Sequence, residues 1–167
     1  LGDYMLLAKF DLLAVEPNGR ALILDWKTGE HIPRAENLVR RLQTIVYRYV
    51  LALAGNHLNA GQPIPPDRIE MIYWYADHDG KTHRFPYDAA QFAADHDYLM
   101  QLVRDIHTRP EFPLTSDERR CRFCVYRSLC DRGDHAGSLT EWDENADLTT
   151  TLDDFSLDLE QIAEIAF

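Results

Sequence analysis

The chain has 167 residues, 46% of them hydrophobic, and a formal net charge of −11 at pH 7. That length supports one domain with a real core, and the composition is that of a soluble globular protein, not a disordered or fibrous one. No apolar run reaches the length of a membrane span and no basic-then-apolar leader opens the chain, so the reading is of a protein with no membrane partner.

The acidity is unevenly spread. From Asp131 onward there are 11 acids and one Arg, whereas residues 1–130 hold 17 acids against 16 Lys and Arg. A near-neutral body can still carry a basic strip, with Arg34, Arg40, Arg41, Arg48, Arg119, Arg120, Arg122 and Arg127 as its candidates. Charge therefore neither requires nor excludes nucleic acid. Three cysteines, an odd number crowded into one stretch, do not make a secreted disulfide framework and point to a reducing, cytoplasmic compartment. The chain opens at Leu1 without an initiator Met, which reads as a fragment.

The first predicted element is an apolar run from Leu6 to Val15 interrupted by Asp11, and the second runs from Ala21 to Lys27 and is interrupted by Asp25. Pro17-Asn18-Gly19 between them predicts a hairpin, which brings the two acids onto neighbouring strands. Thr28-Gly29-Glu30 ends the second strand, and a loop past Pro33 leads into a helix near Arg34. From Leu38 to Leu53 the apolar residues recur at helical spacing, through Leu42, Ile45, Val46, Tyr49 and Val50, until Gly55-Asn56 stops them. Ile69–Tyr75 reads as a third strand, turned by Asp79-Gly80 into a fourth around His83 to Phe85. A second helix is expected from about Asp88 to His107, with Phe92, Leu99, Leu102, Val103 and Ile106 inward, closed by Pro110 and Pro113. The order gives a mixed α/β or α+β core with a mostly antiparallel sheet. Residues 1–133 are expected to form this body with a Cys segment. Residues 134–167 read as an acidic, solvated linker ending in an amphipathic anchor that uses Leu159, Ile162, Ala163 and Ala166.

An acid inside an apolar run is costly unless a cation receives it. Strand alternation points Asp25 and Lys27 the same way and Trp26 the opposite way. Two carboxylates and an ammonium converging at one sheet end suit metal-assisted phosphodiester hydrolysis, with Mg²⁺ or Mn²⁺ held by Asp11, Asp25 and the peptide carbonyl of Trp26. Lys27 would orient the attacking water or offset charge in the transition state. The competing reading is a salt bridge at a strand end. Gln43 and Tyr47, four apart, share one face of the following helix, where the amide can meet a substrate group and the phenol a phosphate; taken alone, the pair reads rather as a boundary core Tyr47 and a solvated Gln43.

Taken together, Phe10-Asp11-Leu12, Leu24-Asp25-Trp26-Lys27-Thr28-Gly29 and Gln43-Thr44-Ile45-Val46-Tyr47 resemble the PD-(D/E)xK nuclease superfamily, specifically its RecB-like branch. The resemblance spans residues 4 to 50 and implies a restriction-endonuclease-like core. It implies Asp11 and Asp25 as metal ligands, Lys27 as the catalytic lysine, and Gln43 with Tyr47 as an auxiliary pair.

Cys121-x2-Cys124-x5-Cys130, set among arginines, favours zinc or an iron–sulfur cluster over packing. Both usually take four ligands; His107 or His135 is a candidate fourth for zinc. Iron–sulfur members of the branch, among them CRISPR-associated adaptation nucleases and helicase–nuclease subunits, carry a similar trio. Their fourth cysteine lies upstream of the first Asp motif, outside this sequence. The resemblance thus implies a [4Fe–4S] cluster that staples the core, ahead of zinc.

The expected function is a Mg²⁺- or Mn²⁺-dependent deoxyribonuclease, an exonuclease or end-processing enzyme on single-stranded DNA or duplex ends. It would serve repair, recombination or defence, alone or with a helicase or repair partner. The alternatives are a non-catalytic DNA-binding or scaffold module of the same fold, and a zinc-stabilised interaction domain.

Overall fold

In the computed structural model the described residues run from 1 to 133, without Asp3, Asn18, Gly29, Glu30, Arg122, Phe123 and Val125. The acidic linker, its terminal anchor, and the central Asn of the first hairpin turn lie outside the described residues. The chain divides into two units, Leu1–Phe112 and Pro113–Phe167.

Among its described residues the first unit holds four strands and three α-helices, β1 (Leu12–Val15), β2 (Ala21–Lys27), α1 (Ala35–Leu38), α2 (Leu42–Ala54), β3 (Ile69–Tyr75), β4 (Lys81–Pro86) and α3 (Ala89–Thr108), with two single 3₁₀ turns between α2 and β3. The sheet order is β1-β2-β3-β4. β1 pairs antiparallel with β2 (Leu12 opposite Leu24), β2 pairs parallel with β3 (Asp25 opposite Tyr73), and β3 pairs antiparallel with β4 (Tyr73 opposite His83). The mixed, mostly antiparallel sheet and α+β class expected from the order of elements are thus present. Parallel neighbours cannot be joined by a tight turn, and the β2–β3 connection carries α1 and α2.

Strand period 2 assigns the two faces. Ala21, Ile23 and Asp25 of β2 and Ile69, Met71, Tyr73 and Tyr75 of β3 are buried, together with Phe85, Leu38, Leu51 and Ile64. Trp26 and Trp74, opposite one another in the β2–β3 ladder, are exposed on the other face, as is Leu12. At the β3–β4 turn Asp79 and Gly80 have φ of 53° and 70°, the left-handed pair a tight hairpin needs. A Cβ on Gly80 would also stand 3.0 Å from the Trp74 indole nitrogen.

Four expectations are corrected, the last of them, for Arg48, at the junction of α2 and α3. The strand predicted from Leu6 is confined to Leu12–Val15, because Leu6, Ala8 and Phe10 leave the sheet edge to pack on α2 and its neighbours. The single helix predicted through Leu38 is broken, with Arg41 extended at ψ 139°. No Pro or Gly marks the break; the freed Leu38 carbonyl accepts from Arg41 N (3.1 Å) and Thr44 Oγ1 (2.6 Å), so it costs no unpaired polar group. Ile106, expected inward on α3, is 54% exposed.

α3 begins where predicted. Asp88 caps it by accepting from Gln91 N at 2.7 Å. Its contact with α2 is aromatic and polar: Tyr49 stacks on Phe92 at 5.2 Å, and its hydroxyl meets His96 Nδ1 at 2.8 Å. Arg48, expected on a basic strip, is instead 2% exposed. Its guanidinium donates to Thr44 O (3.1 Å) and Pro86 O (3.3 Å), lies 4.6 Å over the Tyr87 ring and faces Asp95 at 3.7 Å. A helical face that looked basic in sequence is used here to tie α2 to α3 and the end of β4.

Candidate active site

The C-terminal end of β2 and the first turns of α2 bring four of the sequence-predicted residues into direct contact. Asp25 is 2% exposed, pointing into the layer between sheet and helices. Its Oδ1 accepts from Gln43 Nε2 at 2.9 Å. Lys27 Nζ lies 3.0 Å from Asp25 Oδ2, an ion pair, while its directed hydrogen bond goes to Gln43 Oε1, also at 3.0 Å. Asp25 Oδ2 therefore has a positive neighbour but no aligned donor.

Gln43 is the hub. Asp25 can only accept and Lys27 can only donate, so the amide has one possible orientation. Its Nε2 reaches Asp25 Oδ1 and Tyr47 Oη (3.3 Å); its Oε1 takes Lys27 Nζ and Tyr73 Oη (3.3 Å). Both protons and both lone pairs of the side chain are engaged. Tyr47 in turn donates to the Lys9 carbonyl, and its ring meets Phe10 edge-on at 4.9 Å. The segment preceding Asp11 is thereby held against α2.

Asp11 stands one residue before β1, in a bend, and is exposed. Its Oδ2 accepts from the backbone nitrogen of Trp26 at 3.1 Å. In a strand, the N–H and C=O of one residue face the same edge and those of the next residue face the other. Lys27 O is taken by Ala76 N on the β3 side. The Trp26 carbonyl thus faces the Asp11 side, as a ligand role would require.

Burial pushes the Asp25 carboxyl above its ordinary range, and Lys27 pulls it back only in part. The Asp11 charge adds to the rise and Arg41 opposes it. A buried carboxylate with one unaligned oxygen, near a second carboxylate and with a peptide carbonyl turned to that side, suits a small hard dication. Mg²⁺ commonly takes one or two carboxylates and completes its shell with water and phosphate. Asp11, Asp25 and the Trp26 carbonyl are the residues that would hold it. Among the described residues no group of three or more His, Cys, Asp or Glu could hold a metal by itself, so such an ion would depend on those outer ligands.

A model of the PD-(D/E)XK nuclease superfamily matches residues 2–131. The chain belongs to this superfamily. No curated protein and no solved structure matches the chain. The four-stranded mixed sheet flanked by helices is consistent with the restriction-endonuclease-like fold of the PD-(D/E)XK nucleases. Membership points to a nuclease that acts on DNA with a divalent metal such as Mg²⁺.

Two residues at this site were not singled out in the sequence: Tyr73 and Thr44. Tyr73 Oη lies 2.8 Å from Thr44 Oγ1 and 3.3 Å from Gln43 Oε1, and Lys27 Nζ stands 5.3 Å from its ring centre. The signal was the alternation of β3, which puts Tyr73 inward; missing was the register that sets it beside Asp25.

The cysteines belong to the second unit. Cys121 ends one single-turn 3₁₀ helix (Glu118–Cys121) and Cys130 another (Arg127–Cys130), with Cys124 between. All three are free thiols of intermediate exposure, and Arg132 Nη1 donates to Cys121 Sγ at 3.1 Å. Three thiols are one fewer than a four-thiolate cluster takes. Among the described residues no helix is long and apolar enough to cross a membrane.

Proposed function

We propose that this chain is a divalent-metal-dependent deoxyribonuclease, an exonuclease or end-processing enzyme on single-stranded or frayed DNA ends. The observation that carries the reading is Gln43 joining Asp25 to Lys27, with one buried oxygen of Asp25 left without an aligned donor. A salt bridge that merely closed a strand end would not need an amide saturated on all four positions between its partners. Asp11 and Asp25 would hold the ion, with the Trp26 carbonyl as a further oxygen ligand. When bound, the ion supplies Lewis-acid polarisation of the phosphoryl group and of the attacking water. Lys27, one-fifth exposed, presents an ammonium to the phosphate and offsets charge as it develops. Gln43 holds that ammonium at a set distance from Asp25, and Tyr47 ties the Asp11 segment to α2. Arg34 and Arg40 are exposed on the segment leading into α2 and offer contacts to the backbone of a DNA strand.

The RecB-like form of the three motifs supports work at DNA ends and a place in repair, recombination or defence, with a helicase or repair protein as partner. Free thiols fit a cytoplasmic site of action. Cys121, Cys124 and Cys130 are proposed as ligands of a structural [4Fe–4S] cluster or, second, of zinc; iron, sulfide and zinc analysis of anaerobically purified protein distinguishes the two. One observation favours a non-catalytic DNA-binding module instead: the Lys27–Asp25 pair is already closed at 3.0 Å.

The test is cleavage of end-labelled single- and double-stranded DNA in Mg²⁺ or Mn²⁺ by the chain and its Lys27→Ala variant. Loss of one preorganised charge at a phosphoryl site should lower kcat by about 10²–10³. Product sizes then report whether cleavage starts from ends. Cleavage undiminished in the variant would sink the assignment of Lys27, and no cleavage by the parent chain would favour the non-catalytic reading.

A further inference from the structure

Behind the Asp25–Lys27 pair lies a side chain that touches both the ammonium and the amide controlling it. Tyr73 sits on β3 opposite Asp25 and is fully buried. Its ring lies under Lys27 Nζ at 5.3 Å, and its hydroxyl reaches Gln43 Oε1 at 3.3 Å and Thr44 Oγ1 at 2.8 Å. Thr44 reaches on to the Leu38 carbonyl at 2.6 Å.

The protons decide what this chain of hydroxyls can do. Thr44 and Tyr73 carry one hydroxyl proton each, and three oxygen–oxygen contacts compete for the two. The Leu38 carbonyl also accepts from Arg41 N at 3.1 Å, so it does not depend on Thr44. With Thr44 donating to Tyr73, Tyr73 donates to Gln43 Oε1. With Thr44 donating to Leu38 O, the Tyr73 proton goes either to Gln43 Oε1 or to Thr44 Oγ1. The arrangement in which Thr44 donates to Tyr73 and Tyr73 donates to Gln43 Oε1 is the one that both anchors the phenol oxygen to α2 and gives Gln43 Oε1 a second donor beside Lys27, while the Leu38 carbonyl keeps its bond from Arg41 N.

We propose that Tyr73 is a positioning residue for the site, with Thr44 as its anchor. Its hydroxyl fixes the Gln43 amide from behind, and its ring supports the Lys27 ammonium by a cation–π contact. Through Gln43 it sets the separation between Lys27 and Asp25 before metal or DNA arrives. Its effect on catalysis rests on the nuclease reading above; the tether itself does not.

Tyr73→Phe isolates the hydroxyl. The ring remains under Lys27, Thr44 still has the Leu38 carbonyl and Gln43 Oε1 still has Lys27, so no buried polar group is left unpaired and the fold should persist. Two measurements are made on the whole chain. The first is ¹⁵N NMR of the Gln43 side-chain amide without metal or DNA. Tyr73→Phe should shift both Nε2 proton signals and speed their exchange with water about tenfold, while main-chain signals far from the site stay in place. Thr44→Val should reproduce the change and Thr44→Ser should restore the wild-type signals. Unmoved Gln43 signals in Tyr73→Phe and Thr44→Val overturn the proposal, whether or not the protein cleaves DNA.

The second is a kinetic cycle with Gln43→Ala. Tyr73→Phe should lower kcat on DNA about tenfold at unchanged KM, and should cause no further loss when Gln43 is already Ala. An equal loss in both backgrounds would place Tyr73 in core packing and overturn the proposal. Absence of cleavage by the parent chain would instead defeat the nuclease reading, and the amide signals alone then decide the role of Tyr73.

Discussion

Asp25 occupies a position that opposes folding unless something compensates it. Its carboxyl is buried, and desolvation raises its pKa above the 3.8 of a free aspartate despite the Lys27 ammonium. A raised carboxyl pKa means the folded state holds the proton more tightly than the unfolded one. The stabilising contribution is therefore full below 3.8 and lost as pH rises through the folded value. At neutral pH the metal-free protein carries that deficit, so Asp25→Asn, which keeps the shape and the Gln43 contact, should melt at a higher temperature than the parent. Added Mn²⁺ should raise the parent's Tm and leave that of Asp25→Asn nearly unchanged, because an ion that binds only the folded site stabilises by mass action. Thermal scans with chelator and with Mn²⁺ check both signs. A higher Tm for the parent in chelator would show that Lys27 and Gln43 already compensate the buried charge.

The elements around the site differ in how much local sequence supports them. α3 has a side-chain cap in Asp88 and twenty residues, Ala89–Thr108. Removing the cap in Asp88→Ala should cost about 1 kcal/mol, read from the urea midpoint at unchanged slope; an unchanged midpoint would show that packing alone sets this end. α2 has no side-chain cap, and Arg41 precedes it in an extended conformation. Its start is held from outside, through Leu38 O and Thr44, and this is also where Gln43 sits. The helix that presents the amide to Asp25 thus begins where tertiary contacts place it.

Across the first unit, α2, α3 and the end of β4 meet at Arg48. The guanidinium is bonded to main-chain carbonyls of Thr44 and Pro86 and paired with Asp95. Burial lowers its pKa, and Asp95 in turn is raised, chiefly by desolvation. Replacing both charges by apolar groups can be harmless, but removing one leaves the other buried and unpaired. Arg48→Ala should therefore destabilise by about 3 kcal/mol or more, measured by urea unfolding. The double variant Arg48→Met/Asp95→Leu should recover much of that loss. Failure to recover would mean that the bonds to Thr44 and Pro86, not the ion pair, hold the junction.

Residue order alone determined that Asp25 and Lys27 share one side of β2, that Asp79-Gly80 turns the chain, that a long helix begins at about Asp88, and the class of fold, but not the place of Asp11, which precedes β1 in a bend. Each is a local property: a strand's period of two puts Asp25 and Lys27 on one side whatever surrounds them, and an Asp-Gly pair can turn left-handed anywhere. Gln43 and Tyr47 were legible as a pair on one helical face, and their match to the family motifs supplied a purpose. Tertiary structure decided the rest. Only the parallel β2–β3 register sets Tyr73 beside Asp25, because pairing partners more than forty residues apart leave no periodic trace in either strand. Only packing carries Leu6–Phe10 off the sheet and breaks the helix after Leu38, since apolar spacing reads the same in a continuous or an interrupted helix. And only burial separates Arg48 from the exposed Arg34 and Arg40, because a charge in sequence does not say which way its side chain will be made to point.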